Sequence, residues 1–388
     1  MRTIIVKQEV QDPMSENRSP MPASPEPVPG LGHSRPVAVV TALDEVLRDS
    51  LVASLLLDAP GLVSLRYEVA EDSSALRRIV VAADGVLEDA LVDLAHPCVS
   101  CAMREDAVPA LARLADRPEV RGILLAPPLS ADPSIVVGTL RAHEGSWHLA
   151  SALAAASAAR AAEDLLGDDT LAERDLRWAD GDARSVGEAL AAQLEYSDLL
   201  VLEGGEDCAG AELVEHLRAP EQRVVRDPFA LSAREVLGGR HDHAAGLRRR
   251  DARCVEPYGG PTAHGTWTLD LHSVRPLHPQ RLLENIEALG GGRLRGRGRF
   301  WVPDRPESIC QWDGAGGQVS IGAVWRTGRE LPTTHLVVTG QDPADLPRVR
   351  DAFARCLLTE AEWAEGLAPW LGAEDPLAPW LGDRDARV

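Results

Sequence analysis

Two cysteines separated by two residues carry the sharpest chemical signal in the chain. In His96-Pro97-Cys98-Val99-Ser100-Cys101 the CxxC spacing lets two thiolates face one soft cation such as Zn²⁺. A tetrahedral site needs further donors. His96 is the nearest in sequence, with Cys208, His241 and His243 as remote candidates. The same spacing suits a redox dithiol, and it also arises where two cysteines are unrelated.

Other constellations are weaker. Arg240-His241-Asp242-His243 is either a metal-capture tract or a solvated stretch of linker. Arg293, Arg295, Arg297 and Arg299 alternate, so a strand would project all four from one face. With Phe300 and Trp301 next to them, they could hold RNA phosphates and stack a base. The competing reading is an edge strand protected by charge. The segment 36–57 is placed where a phosphate-binding loop would sit. Such a loop needs glycines for close backbone approach, a Lys for the phosphate oxygens and a Ser or Thr for Mg²⁺. "TALDEVLRDS" has neither Gly nor Lys, and Asp44, Glu45 and Asp49 would repel a triphosphate. No Ser-His-Asp order, GxSxG turn or paired carboxylates point to a hydrolase.

The elements that must position these residues fall into two grammars. Residues 1–35, rich in Pro, Ser and Glu, read as disordered. From residue 36 to 237 strands alternate with helices. "PVAVVTAL", "LVSLRYEVA", "LRRIVVAA", "VRGILLAPPLS", "DLLVLEGG" and "QRVVRDP" read as strands. "LDEVLRDSLVASLLLDAP", "REDAVPALARLADRP" and "CAGAELVEHLRAP" read as helices, and "EGSWHLASALAAASAARAAEDLLGD" is expected to contain an Ala-rich one. Alternation of this kind predicts an α/β fold with a mostly parallel sheet. Residues 238–265 read as a Gly/Arg/His linker. Residues 266–365 change to hairpin-like strands with two amphipathic helices, a small α+β domain whose core is expected to hold Trp267, Trp301, Trp312 and Trp325. Residues 366–388 repeat "LAPWLG" and read as a docking tail presenting Trp370 and Trp380.

Composition narrows the function classes. The 388 residues carry a net charge of −20, from 40 Lys+Arg against 60 Asp+Glu. That excludes a protein coated in nucleic acid, which needs a broad basic face. Six cysteines in a chain of this length make no disulfide framework. No stretch approaches the ~20 apolar residues of a membrane span. The opening "MRTIIVKQEV" is too short and too soon charged for a signal peptide. A cytoplasmic location is expected.

Around "LAHPCVSCAMREDAVPALARLA" the chain resembles the CobW-like GTPases, metal-handling P-loop proteins with a Cys-x-Cys-Cys motif. The other landmarks follow in family order, through "PVAVVTALDEVLRDSLVASLLL", "ILLAPPLSADPSIVVGTL" and "ARSVGEALAAQLEYSDLLVLEGGED" to the opening of a CobW C-terminal domain at "RPLHPQRLLENIEALGGGRLRGRGRFWVPDRPE". The resemblance implies a P-loop NTPase-like sheet followed by that domain, and zinc as the metal held by Cys98, Cys101 and His96. It also exposes departures. The two P-loop glycines fall on Ala42 and Leu47, the Lys on Arg48 and the Mg²⁺-binding Thr on Asp49, with Ser50 as a partial remnant. The switch Glu and Gly fall on Ala126 and Leu129, while Asp132 and Pro133 remain. The guanine-reading Asn, Lys and Asp fall on Glu203, Gly204 and Glu206, and the middle Cys of the metal motif is Ser100. This pattern implies a pseudo-GTPase, with GTP and Mg²⁺ not expected as cofactors. It is most similar to the actinobacterial branch that recruits a ribosome hibernation factor to the small ribosomal subunit in zinc limitation. The alternative is a metallochaperone that passes zinc or another divalent metal to a client protein.

Overall fold

A computed structural model describes residues 5–8, 34–69, 75–93, 98–179, 181–326, 332–382 and 384. Among the described residues, fourteen strands form two sheets. In chain order they are β1 (Ile5–Gln8), β2 (Arg35–Ala42), β3 (Leu62–Val69), β4 (Ala75–Ala82), β5 (Gly85–Asp93), β6 (Gly122–Ala126), β7 (Trp147–Ser157), β8 (Leu199–Glu203) and β9 (Arg223–Val225), then β10 (Trp267–Ser273), β11 (Leu294–Phe300), β12 (Ser308–Ala315), β13 (Gln318–Arg326) and β14 (Thr334–Gly340). The first sheet has the order β5-β4-β3-β6-β2-β7-β8-β9, parallel from β3 to β9, with β4 and β5 as an antiparallel edge hairpin. The predicted α/β class holds.

The central strands are buried on both faces, as parallel strands covered by crossover helices must be. Val37 and Val39 point to the core made by the helices Val108–Ala115 and Pro133–Arg141. Ala38 and Val40 point to the opposite core, where Leu47, Leu51 and Leu55 of the helix Glu45–Asp58 pack. One element departs from expectation. The Ala-rich run at 147–157 is the long strand β7, and only Ala161–Leu166 is helical there. Intrinsic propensity favours helix for Ala, but the strand lies between β2 and β8, and its small side chains let helices close on both faces.

The second sheet has the order β1-β13-β12-β11-β14-β10 and is antiparallel apart from β1 against β13. Helices Pro279–Gly290 and Asp345–Cys356 cover one face, where Leu282 and Phe353 join the core with Leu336 and Val338 of β14. Trp267, Trp301 and Trp312 are buried as expected, whereas the Trp325 side chain lies outside the described residues. Two readings of the chain ends change. Ile5–Gln8 pair with β13 and so are not disordered, while 9–33 lie outside the described residues. The C-terminal repeat does not project. Leu377 and Leu381 are buried in the second core, and Arg305 holds Asp375 at 2.8 Å.

The other face of this sheet packs on the first domain, and here the arginine stripe is corrected. Arg295 is buried and pairs with Glu195, on the helix Val186–Tyr196, at 2.8 Å and with Asp313 at 2.5 Å. Arg297 lies 3.6 Å from the same Glu195 and over the Tyr258 ring. Arg293 reaches Glu163, and Arg299 donates to the Arg253 carbonyl. The four side chains do share one face, but that face is the domain interface and not an RNA surface. The fit is close: a Cβ on Gly187 would stand 2.7 Å from the Gly316 nitrogen. Glu195→Ala should destabilise the protein by about 3–5 kcal/mol, since it removes the carboxylate beside buried Arg297 and one of the two at buried Arg295. Urea unfolding would measure it; a loss below about 1 kcal/mol would show that the pair does not hold the interface.

Candidate functional site

Cys98 caps the helical run Val99–Ala102, which widens into a π-helical turn at Met103–Ala107 and continues as Val108–Ala115. The run is firmly seated. Ala102 and Met103 are fully buried, and Asp106 accepts from the Tyr67 hydroxyl of β3 at 2.5 Å and from Arg78 of β4. The two cysteines stay half-exposed at its head. Cys98 Sγ lies 3.1 Å from the Ser100 hydroxyl, and Arg104 donates to Cys101 Sγ at 3.7 Å. Burial pushes the Cys98 thiol up, but hydrogen bonds from Ser100 and Cys101 outweigh it and leave this thiol below its ordinary value. Burial and the adjacent Cys98 raise Cys101. Such a pair titrates as a unit, and a metal would displace the proton the two thiols share. Two adjacent sulfur donors, one readily ionised, fit zinc.

The further ligands proposed from sequence do not assemble here. His96 lies outside the described residues. Cys208 caps the helix Ala209–Leu217 and its thiol donates to the Ala158 and Gly205 carbonyls. His241 and His243 are not a solvated tract. His241 is buried between Asp198, 2.6 Å away, and the Tyr196 hydroxyl at 3.0 Å; His243 meets that hydroxyl at 2.6 Å. They begin a strap that includes the helix His243–Arg250, whose Arg250 grips Asp132 at 2.8 Å and whose Arg249 binds the Glu195 and Ser197 carbonyls. The expected linker is therefore, over this stretch, packed structure. Asp132 is a helix cap and an anchor for the strap.

At the P-loop position, the strand β2 ends at Ala42 and the helix begins at Glu45, leaving two residues of loop. From Glu45 onward the segment is already helical. Asp44 caps the helix by accepting from the Leu47 amide at 3.0 Å. Arg48 is almost fully buried and turned back on Asp49 at 2.9 Å and Glu45 at 3.6 Å. Asp49 also pairs with Arg66, and Ser50 is half-buried. The cavity beside this turn, lined by Leu43, Asp44, Ser157, Arg160 and Asp164, measures about 40 Å³, room for a few waters.

Sequence reasoning missed one cluster. Asp270, His272 and His335 bring their donor atoms within 4.8 Å of one another, the only such group of three among the described residues. The alternation Asp270-x-His272 in a strand was a usable signal; the partner 65 residues from Asp270 was not visible.

The second domain, a small sheet covered by two helices, follows a parallel sheet with a helix at each crossover. Residues 266–357 match the model of the cobalamin synthesis protein cobW C-terminal domain. A Mycobacterium tuberculosis protein named as a zinc chaperone is 29% identical over 253 residues, 61% of this chain and 60% of that protein. A Dictyostelium discoideum protein named zinc-regulated GTPase metalloprotein activator 1 is 23% identical over 339 residues, 74% of this chain and 70% of that one. The zinc-bound YjiA GTPase of E. coli covers 84% of this chain and all of its own at 16% identity and a TM-score of 0.37. The chain is thus similar to CobW-type proteins, with its C-terminal part matching the cobW C-terminal domain. It spans about 60% of the length of the mycobacterial relatives.

The strap makes a pH prediction. Burial holds His243 below its ordinary value. Asp132 and Asp198 are likewise depressed; burial opposes this but is outweighed by Arg250 and Ser134 at Asp132, and by His241 at Asp198. Each depressed group gives stability that is complete above its unfolded pKa and lost as pH falls through the folded one. The urea midpoint should therefore fall as pH drops below about 6.5, the His243 contribution going first and the carboxylates' below about 3.9. The slope between pH 7 and 5 should shrink in His243→Gln; an unchanged slope would contradict the assignment.

Proposed function

We propose that the chain is a zinc-responsive pseudo-GTPase adaptor, in which zinc at Cys98 and Cys101 sets the shape of a protein-docking edge. One observation carries the reading. The thiol pair follows the edge strand β5 by only residues 94–97 and heads a helix braced against β3 and β4. β5 leaves Val86, Leu87 and Leu91 exposed. An apolar, unpaired strand edge is a ready template for a partner. Zinc bridging the thiols would fix the head of this helix beside that edge, and its loss would free it.

The switch needs no nucleotide. A two-residue turn, a buried Arg48 bonded to its own helix and the carboxylates of Asp44, Glu45 and Asp49 all argue for a retired phosphate site. The partners in this reading are those the resemblance implies, the small ribosomal subunit and a hibernation factor. The arginine stripe lends no support, because its members are engaged at the domain interface. The net charge of −20 fits ribosomal RNA poorly, so the reading needs an acidic face that receives a basic ribosomal protein. Co-sedimentation with ribosomal subunits should differ between chelated and zinc-replete buffer. The Cys98→Ala/Cys101→Ala variant should stay folded and lose that difference. Equal pelleting of the wild type in both buffers would sink the reading.

A second reading, the metallochaperone, is favoured by the mycobacterial relative being named a zinc chaperone. It requires zinc held by the thiol pair to move to an apo-acceptor protein. Loss of zinc from this chain into such an acceptor, faster than into buffer, would support it, and equal rates would remove it.

A further inference from the structure

The face of the second sheet that meets the first domain ends in a cluster unconnected with the cysteines. β10 and β14 are antiparallel neighbours, and their register sets His272 directly opposite His335. Asp270 is two residues before His272 and so on the same face. The imidazoles stack with centroids 3.7 Å apart and planes 24° from parallel. Both aim Nε2 at one oxygen of Asp270, His272 from 2.9 Å and His335 from 2.8 Å. His335 is buried in the sheet, whereas His272 is 57% exposed and Asp270 42%.

A fold-stabilising role accounts poorly for this convergence. An exposed hydrogen bond from His272 contributes little, and the core of the domain lies on the opposite face. Two imidazole nitrogens and a carboxylate are instead a common donor set for zinc with one position left open. Bond lengths near 2.0–2.2 Å in a tetrahedron put donor atoms roughly 3.3 Å apart. The Nε2–Oδ1 separations here fall short of that by only a few tenths of an ångström. The exposed Asp270 and His272 can open by that amount while the sheet holds His335 fixed.

We propose that Asp270, His272 and His335 form a second zinc site, with three protein ligands and a fourth position open to water. The site lies beside the domain junction, because Arg299, paired with His335 in the register of β11 and β14, donates to the Arg253 carbonyl at 2.9 Å. The guanidinium opposes a second positive charge nearby, so the site exchanges its ion readily. It stands independently of the thiol pair.

The test is zinc titration of the full chain against a chromophoric chelator, with X-ray absorption at the zinc edge. Wild type should take two zinc ions, and Cys98→Ala/Cys101→Ala one. The ion kept by that variant should show nitrogen and oxygen neighbours and no sulfur near 2.3 Å. Adding His272→Ala, an exposed position whose loss leaves the core intact, should abolish it, and Asp270→Asn should weaken it at least tenfold. A cysteine variant that binds no zinc, or one whose zinc survives His272→Ala, overturns the proposal. If His272→Ala removes an ion while the cysteine variant loses none, the cysteine site fails and this one stands.

Discussion

One buried carboxylate organises the contact between the two domains. Glu195 ends the helix that backs β7 and β8, and it faces Arg295 and Arg297 from the second sheet. Removing Glu195 takes the carboxylate from buried Arg297 and one of the two from Arg295, which is costly in a low-dielectric seam. Around this pair the rest of the interface closes. Ser185 donates to the Ala315 carbonyl, Gly187 admits the turn at Gly316, and His216 meets Thr268 at 2.9 Å. A family's C-terminal domain is thereby fixed against its sheet, and the strap carrying Arg249 and Arg250 is pinned to the same helix and to Asp132.

The same frame reaches the turn between β2 and the helix Glu45–Asp58. In this chain Arg48 and Asp49 serve the helix and β3, and Asp132 serves the strap. These charged residues hold neighbouring elements together. The half-exposed thiols at Cys98 and Cys101, the exposed edge of β5 and the Asp270–His272–His335 cluster are left as the places where ions or partners can act.

Much of this was legible in the residues. Alternating apolar runs such as "PVAVVTAL" and "DLLVLEGG" mark strands buried on both faces, and the Cys98–Cys101 spacing marks the thiol pair directly. The misses share a physical cause, which is that tertiary packing decides what local pattern leaves open. Ala150–Ala156 has helical propensity but is claimed by the sheet. The arginine alternation gave the right strand and face; charge alone could not tell a solvent face from one buried against Glu195. His241 and His243 looked solvated because Tyr196 and Asp198, which bind them, lie more than 40 residues away. The Asp270–His335 contact, 65 residues apart, was hidden for the same reason.

The claim that most of the account rests on is a metal-responsive scaffold without a nucleotide cycle. Equilibrium binding of fluorescent GTP with Mg²⁺ to the full chain tests it most directly, with and without zinc. The account predicts no saturable binding up to millimolar nucleotide in either condition. Saturable micromolar binding that is lost in Arg48→Ala would contradict it, for Arg48 would then be a phosphate ligand rather than a buried partner of Glu45 and Asp49.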